Sequence, residues 1–155
     1  MGDDGVGPAV VDELRRRGTS ERAQLIDAGL AFSEVLCDIE PEKPLVIIDA
    51  VRGGGEPGSV YRLSLSDLTA DAGSMVRAVS LHEVSVLPAL RMEALGGREF
   101  ADVTIFGVEP GTIAWGLGLS HPVEEAKQRV VAQLLRYVDK PAARAVDAAC
   151  GSQNR

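Results

Sequence analysis

Three side chains could do chemistry together if the fold brings them to one place: Asp4, Asp49 and His82. Two carboxylates and one imidazole form an O, O, N donor set, which suits a divalent transition ion such as nickel, zinc or manganese. The same groups could also act in general acid–base hydrolysis. Their spacing along the chain does not show that they converge, so both chemistries remain open on these residues alone.

The other residues with chemical potential have simpler explanations. His82 and His121 each stand near the start of a predicted helix, where a histidine can cap the helix or face solvent. Cys37 falls in an apolar helical stretch, which predicts a core position, and it forms no metal-type pair with Cys150. The glycine-rich segment 52–58 lacks the ending of a phosphate-binding loop and precedes a predicted strand. Neither a G-x-S-x-G nor an H-E-x-x-H motif occurs in the chain.

Apolar periodicity, interrupted by glycine and proline, predicts the elements that must position these residues. The clearest strand is Pro44–Ala50, whose continuous apolar run is typical of a strand buried on both faces. The clearest helix is Pro122–Val138, which carries an apolar stripe and a proline in its first turn. The other predicted helices are residues 8–17, Phe32–Ile39 and Glu83–Leu95; the other predicted strands are Ala23–Ile26, Ser59–Leu65 and Asp102–Val108; loops are predicted at 66–81 and 111–119.

Strands that alternate with helices predict an α/β domain with a mainly parallel sheet and crossover helices on both faces. Sites in such sheets lie beyond the carboxyl ends of the strands, which makes Asp49 a candidate functional acid. The length of 155 residues fits one domain. We place that domain at residues 1–140 and expect a flexible tail at 141–155.

The composition argues against several classes of partner. The 16 Lys and Arg residues and the 23 Asp and Glu residues give a net charge of −7, which disfavours nucleic acid and anionic membrane surfaces. No apolar run reaches the roughly 18–20 residues that span a bilayer. Since two cysteines cannot build a disulfide framework, we expect a protein of the reducing cytoplasm without membrane insertion.

Four segments resemble the sequence blocks of the hydrogenase maturation endopeptidases, the proteases that trim the large-subunit precursor of nickel–iron hydrogenases. The segments occur in the family's order and span residues 2 to about 138. Any one of them is weak, but four in order make a specific match. They read GDDGVGPAVVDEL, PLVIIDAVRGGGEPGSV, SLHEVSVLPALRMEALGG, and TIFGVEP followed by GLGLSHPVEEA.

The resemblance implies a three-layer, twisted sheet of the phosphorylase/hydrolase-like kind with helices on both faces. It implies a metal-contacting trio of Asp4, Asp49 and His82, with the two acids as catalytic residues. His121 has no counterpart in this trio. Asp3 would support its neighbour Asp4 without contacting the metal itself. The metal would be nickel already loaded in the substrate, so no cofactor of the protein's own is implied.

The family pattern begins with a strand of the type V-x-G-x-G-N before the double acid, and the present sequence lacks it. We therefore expect Met1 to be an internal methionine of a longer protein. On this hypothesis the sheet lacks its first, buried strand, which would leave neighbouring backbone groups unpaired. An in-frame stop codon immediately upstream of Met1 would contradict the hypothesis.

The function implied is an aspartic-type endopeptidase that removes the C-terminal extension of the large-subunit precursor after nickel insertion. Two mechanisms are open: the acids could activate water with help from substrate nickel as a Lewis acid, or the trio could only recognise the metal. A different class of protein, a non-catalytic nickel-binding maturation factor, fits the same residues. An inactive truncated relative is a third interpretation.

Overall fold

The computed structural model of the chain describes residues 2–29, 31–65, 67, 79–80, 86–111 and 118–139. Short 3₁₀ turns at Asp3–Gly5 and Thr19–Glu21 flank the first helix. The helices in these ranges are α1 (Val6–Arg16), α2 (Phe32–Cys37), α3 (Val86–Leu95) and α4 (His121–Val138); the strands are β1 (Leu45–Arg52), β2 (Val60–Ser64), β3 (Val79–Ser80) and β4 (Val103–Val108).

The described strands form one sheet in the order β2-β4-β1-β3. β1 and β4 run parallel, with Asp49 opposite Gly107, and this pair forms the centre of the sheet. β2 pairs antiparallel with β4, and β3 pairs antiparallel with the end of β1. The sheet is therefore mixed, where a mainly parallel sheet was predicted. Residues 53–59 are too short a connection for a helical crossover, so β2 must reverse the chain direction.

Side chains alternate between two apolar layers, one on each face of the sheet. Val46, Ile48 and Ala50 of β1 pack with the first layer, which α1 and α4 cover. Leu45 and Ile47 pack with the second layer, which α2 and α3 cover. Every residue of β4 is buried, as expected for a central strand with helices on both faces. The predicted α/β class with helices on both faces is confirmed.

The two helices of the first layer follow directly from their apolar spacing. In α1, Val6, Val10 and Leu14 recur every fourth residue and form one buried stripe. In α4, Val123, Val130 and Leu134 lie on the buried side, and a proline occupies the first turn. Within the described residues, no helix is both long enough and apolar enough to cross a membrane.

Some predicted elements differ from the structure. The segment Ala23–Ile26 is irregular, because it pairs with no described strand and a strand needs a neighbour for its backbone groups. Two residues of the predicted loop 66–81 form β3, and residues 66, 68–78 and 81 lie outside the described residues. Cys37 is exposed rather than in the core; its thiol lies 3.4 Å from both the Ser33 carbonyl and the Glu93 carboxylate. Cys150, residues 83–85, residues 112–117 and the predicted tail at 141–155 lie outside the described residues.

Candidate functional site

The turn that carries Asp4 lies against the carboxyl end of β1. The 3₁₀ turn Asp3–Gly5 leads straight into α1, so the start of this helix fixes the direction of the acid. Gly7, in the first turn of α1, touches the β1 backbone: a Cβ atom placed on it would lie 2.7 Å from the Ile48 carbonyl oxygen. Glycine is needed for this approach, and the approach brings the Asp4 turn beside the strand end that carries Asp49.

Asp4 is half-buried and carries an oxygen with no internal partner. Its Oδ1 atom is fully covered, yet it accepts no hydrogen bond within the described part of the chain. A buried acceptor left unpaired costs about 1–3 kcal/mol, so such atoms are rare in folded proteins. The atom is therefore a strong acceptor whose hydrogen-bonding capacity no described residue uses.

Asp49 ends the apolar part of β1 and is also half-buried. Its Oδ1 atom accepts the N–H of Ala50 at 2.8 Å, which holds the carboxylate close to its own strand. By the alternation of β1, Asp49 lies on the sheet face covered by α2 and α3, whereas α1 packs on the opposite face. The two acids can therefore meet only around the carboxyl edge of the sheet.

Asp3, next to Asp4, is only 1% exposed and accepts three hydrogen bonds from the residues that the structure describes. Its Oδ2 accepts the N–H of Gly111 and the hydroxyl of Ser120, both at 2.8 Å, and its Oδ1 accepts the N–H of Ser120 at 2.6 Å. Ser120 is the N-cap of α4, where a negative charge is favourable. Asp3 thus ties the Asp4 turn to the segment after β4 and to the start of α4.

Glu109 is a second buried carboxylate at this edge, and the sequence reasoning missed it. It follows β4 directly and is 7% exposed. Its Oε2 atom accepts the N–H groups of Gly53 and Gly55 and the hydroxyl of Tyr61. A signal was present, because Glu109 stands at the carboxyl end of a buried strand, where functional acids are expected in α/β sheets.

The glycines of the loop after β1 are explained by Tyr61, on which the loop lies. A Cβ atom on Gly53 would stand 2.5 Å from the Tyr61 ring, and one on Gly55 would stand 2.4 Å from its hydroxyl oxygen. Burial, followed by the hydrogen bond and the negative charge of Glu109, raises the pKa of Tyr61. The phenol therefore stays protonated at neutral pH and donates to Glu109.

Of the predicted trio, the structure places Asp4 and Asp49 at one edge, whereas His82 lies outside the described residues. Within those residues, no group of three or more His, Cys, Asp or Glu side chains is arranged to hold a metal ion. His121 is exposed at the start of α4, 3.9 Å from the Glu125 carboxylate, as the sequence predicted for a residue outside the trio.

Residues 8–137 of the chain match the family described as hydrogenase maturation protease (HycI). A Methanocaldococcus jannaschii protein, provisionally named a hydrogenase maturation protease, is 26% identical over 142 residues and is matched over 90% of both chains. The hydrogenase expression/formation protein HupD of Thiocapsa roseopersicina is 25% identical, and the match covers 88% of this chain and 62% of HupD.

Solved structures share the fold. The [NiFe] hydrogenase maturation protease HybD from Thermococcus kodakarensis superposes with a TM-score of 0.73 at 24% identity, over 89% of this chain and 91% of that one. The hydrogenase maturating endopeptidase HybD from E. coli gives a TM-score of 0.68 at 23% identity, over 89% and 85% of the two chains. At this level of identity the two structures establish the architecture of the chain.

Proposed function

Because the chain belongs to the hydrogenase maturation protease family and has a role in hydrogenase maturation, we propose that it removes the C-terminal extension of the nickel–iron hydrogenase large-subunit precursor once nickel is inserted. The observation that carries this proposal is the unpaired Oδ1 of Asp4, next to the strand end that bears Asp49. Two carboxylates at the same edge of a sheet can bind and activate a water molecule. The precursor is the partner, and the cytoplasm, where precursors are assembled, is the proposed location.

In the proposed reaction, Asp4 and Asp49 are the catalytic acids. One carboxylate accepts a proton from water, and the water oxygen attacks the carbonyl carbon of the scissile peptide bond. The C–N bond then breaks, and the proton passes to the leaving amine. This is aspartic-type chemistry; nickel in the bound substrate would add polarisation of the carbonyl if it lies close enough.

We propose that nickel enters the site as part of the substrate and that the protein holds no metal of its own. Asp4, Asp49 and His82 are the proposed contacts to this nickel. Carboxylate oxygen and imidazole nitrogen suit nickel, and the unpaired Asp4 oxygen supplies one acceptor for it. Asp3, through its bonds to Gly111 and Ser120, would hold Asp4 in the orientation that contact requires.

A non-catalytic nickel-binding maturation factor is the second candidate, because the same unpaired oxygen could hold a cation without any cleavage. A single incubation experiment distinguishes the two functions. Purified protein is mixed with large-subunit precursor, once nickel-loaded and once nickel-free, and the precursor is followed by gel electrophoresis and mass spectrometry.

The proposal predicts loss of a short C-terminal peptide from the nickel-loaded precursor only. Tight binding of free nickel by the isolated protein, with an intact precursor in both mixtures, would favour the binding factor. Cleavage of both precursors at equal rates would contradict the role of nickel and leave the protease assignment standing.

A further inference from the structure

We propose that Glu109 is a positioning residue that fixes loop 53–59 as a wall of the substrate site. The inference rests on the proposed function, since the wall matters only where a polypeptide is bound and cut. Glu109 is a buried acid that the proposed reaction does not use. It follows β4 at the carboxyl edge of the sheet, where β1 also ends.

The Glu109 side chain holds the first half of the loop. Its Oε2 atom accepts the Gly53 N–H at 2.7 Å, the Gly55 N–H at 3.3 Å and the Tyr61 hydroxyl at 2.8 Å. The Tyr61 hydroxyl also accepts the Gly55 N–H at 3.0 Å. These bonds turn two loop amides inward, toward the sheet.

The Glu109 backbone holds the second half of the same loop. Its carbonyl accepts the Gly58 N–H at 2.8 Å, and its N–H donates to the Ser59 carbonyl at 2.8 Å. Arg129 of α4 adds a bond to the Gly58 carbonyl at 2.7 Å. One residue therefore fixes both halves of the loop, and a loop fixed at both ends has few conformations left to lose on binding a substrate.

The position of the loop determines what it can contact. It begins immediately after Arg52, the last residue of β1, so its first residue is the fourth after Asp49 along the chain. Gly54 at its centre is exposed, and a Cβ atom there would meet nothing within 4 Å. A Cβ atom on Gly111 would lie 3.3 Å from both the Asp3 carboxylate and Pro57, so the loop approaches the residue next to Asp4. The exposed backbone at Gly54 suits close contact with the main chain of a peptide substrate.

The test compares Glu109→Ala with Glu13→Ala, because both acids are 7% exposed. Glu13 is paired with Arg16 and Arg17 near the C-terminal end of α1, away from the loop. Each variant is incubated with nickel-loaded precursor below its unfolding temperature. We expect kcat to fall at least about tenfold in Glu109→Ala, because misplaced groups lose large factors in rate. Glu13→Ala should lose stability and keep its rate.

Rescue by the conservative variant separates positioning from simple loss of the fold. Glu109→Gln keeps an oxygen that can accept the two short hydrogen bonds, from Gly53 and Tyr61, and the Gly55 N–H keeps the Tyr61 hydroxyl as its acceptor. Its rate should therefore stay within about threefold of wild type. Hydrogen exchange at the Gly53 and Gly55 amides should speed up in Glu109→Ala and remain slow in Glu109→Gln. Equal kcat in Glu109→Ala and Glu13→Ala would overturn the inference.

Failure of the proposed function gives a different pattern. If wild-type protein cleaves no precursor, the protease proposal fails, and the inference is judged instead on affinity for the nickel-loaded precursor. Weaker binding in Glu109→Ala than in Glu13→Ala would support the wall; equal binding would overturn it.

Discussion

Two buried carboxylates, Asp3 and Glu109, have the same structural role at two places on the sheet edge: each holds a neighbouring segment by hydrogen bonds. Among the described residues, each accepts two backbone N–H groups and one side-chain hydroxyl, and each fixes a segment near a candidate catalytic acid. Asp3 holds the turn of Asp4, and Glu109 holds the loop that follows Asp49. Hydrogen bonds to a charged acceptor are worth more than neutral ones, which suits both positions.

The two carboxylates differ in how the donors are arranged. At Asp3 the donors are divided between both oxygens, whereas at Glu109 all three converge on Oε2. Asp3 is also more deeply buried, at 1% exposure against 7%. A side-chain amide has only one accepting oxygen, with two lone pairs. A glutamine at position 109 can therefore keep the two short bonds of Glu109, whereas an asparagine at position 3 loses at least one bond of Asp3. We therefore expect the amide substitution to cost more stability at Asp3, beside Asp4, than at Glu109, which holds the loop after β1.

The largest effect on stability is expected from Asp3→Asn. The amide group would turn an N–H onto one of the three donors, which loses charge-assisted bonds and leaves a buried donor unpaired. We expect a loss of about 3 kcal/mol, or a drop in Tm of about 6–12 °C for a chain of this size. Thermal unfolding measures it, with the exposed Asp12→Asn as control. If Asp3→Asn had the same Tm as Asp12→Asn, the predicted difference between the buried and the exposed aspartate would be wrong.

A smaller effect is expected from Glu109→Gln. One amide oxygen can accept the Gly53 and Tyr61 donors, and the Gly55 N–H keeps the Tyr61 hydroxyl as its acceptor. The loss is therefore mainly that of the charge, at a cost of about 1 kcal/mol. Chemical denaturation of this variant beside Asp3→Asn gives the ratio of the two losses directly. If Glu109→Gln lost as much unfolding free energy as Asp3→Asn, the convergence of the donors on one oxygen would not make the site tolerant of an amide.

The smallest effect is a pH dependence at Tyr61. The raised pKa means that the folded chain holds the phenol proton to a higher pH than the unfolded chain, whose tyrosine pKa is about 10. The stabilisation is therefore complete below pH 10 and is lost as pH rises above it. At Asp3 the hydroxyl donor is Ser120, which does not titrate near pH 10. The stabilisation at Asp3 should therefore not change with pH in this range.

The measurement is the gap in unfolding free energy between wild type and Tyr61→Phe. It should be about 1 kcal/mol at pH 8 and shrink above about pH 10. Burial, followed by the negative charge of Asp102, also raises the pKa of Tyr137, so Tyr137→Phe serves as the matched control. A Tyr61 gap that stays constant from pH 8 to 11 would refute the role of Glu109 in holding this proton.

The sequence predicted the elements whose pattern is local. α1, β1, β4 and α4 were all expected within a few residues of their observed bounds, since each carries a continuous apolar run or stripe. The irregular segment 23–26 and the antiparallel direction of β2 were not foreseen. Both depend on which strands are neighbours, and that information is not present in local periodicity.

The candidate site shows the same division. Asp49 could be found because it ends an apolar strand, and Asp4 because it stands among glycines at a helix start. Glu109 was missed because its partners lie 48–56 residues earlier in the chain and meet it only in the folded sheet. The glycine loop was noticed, but the reason for its glycines, the Tyr61 ring beneath it, depends on tertiary packing.

The most direct test of the site is the processing rate of nickel-loaded precursor by Asp4→Asn and Asp49→Asn, measured together with Tm. We expect each rate to fall at least about 100-fold, the usual contribution of a general acid or base. Asp4→Asn should unfold at or above the wild-type temperature, because its buried Oδ1 has no partner to lose among the described residues. Processing by either variant at the wild-type rate would contradict the assignment of these acids.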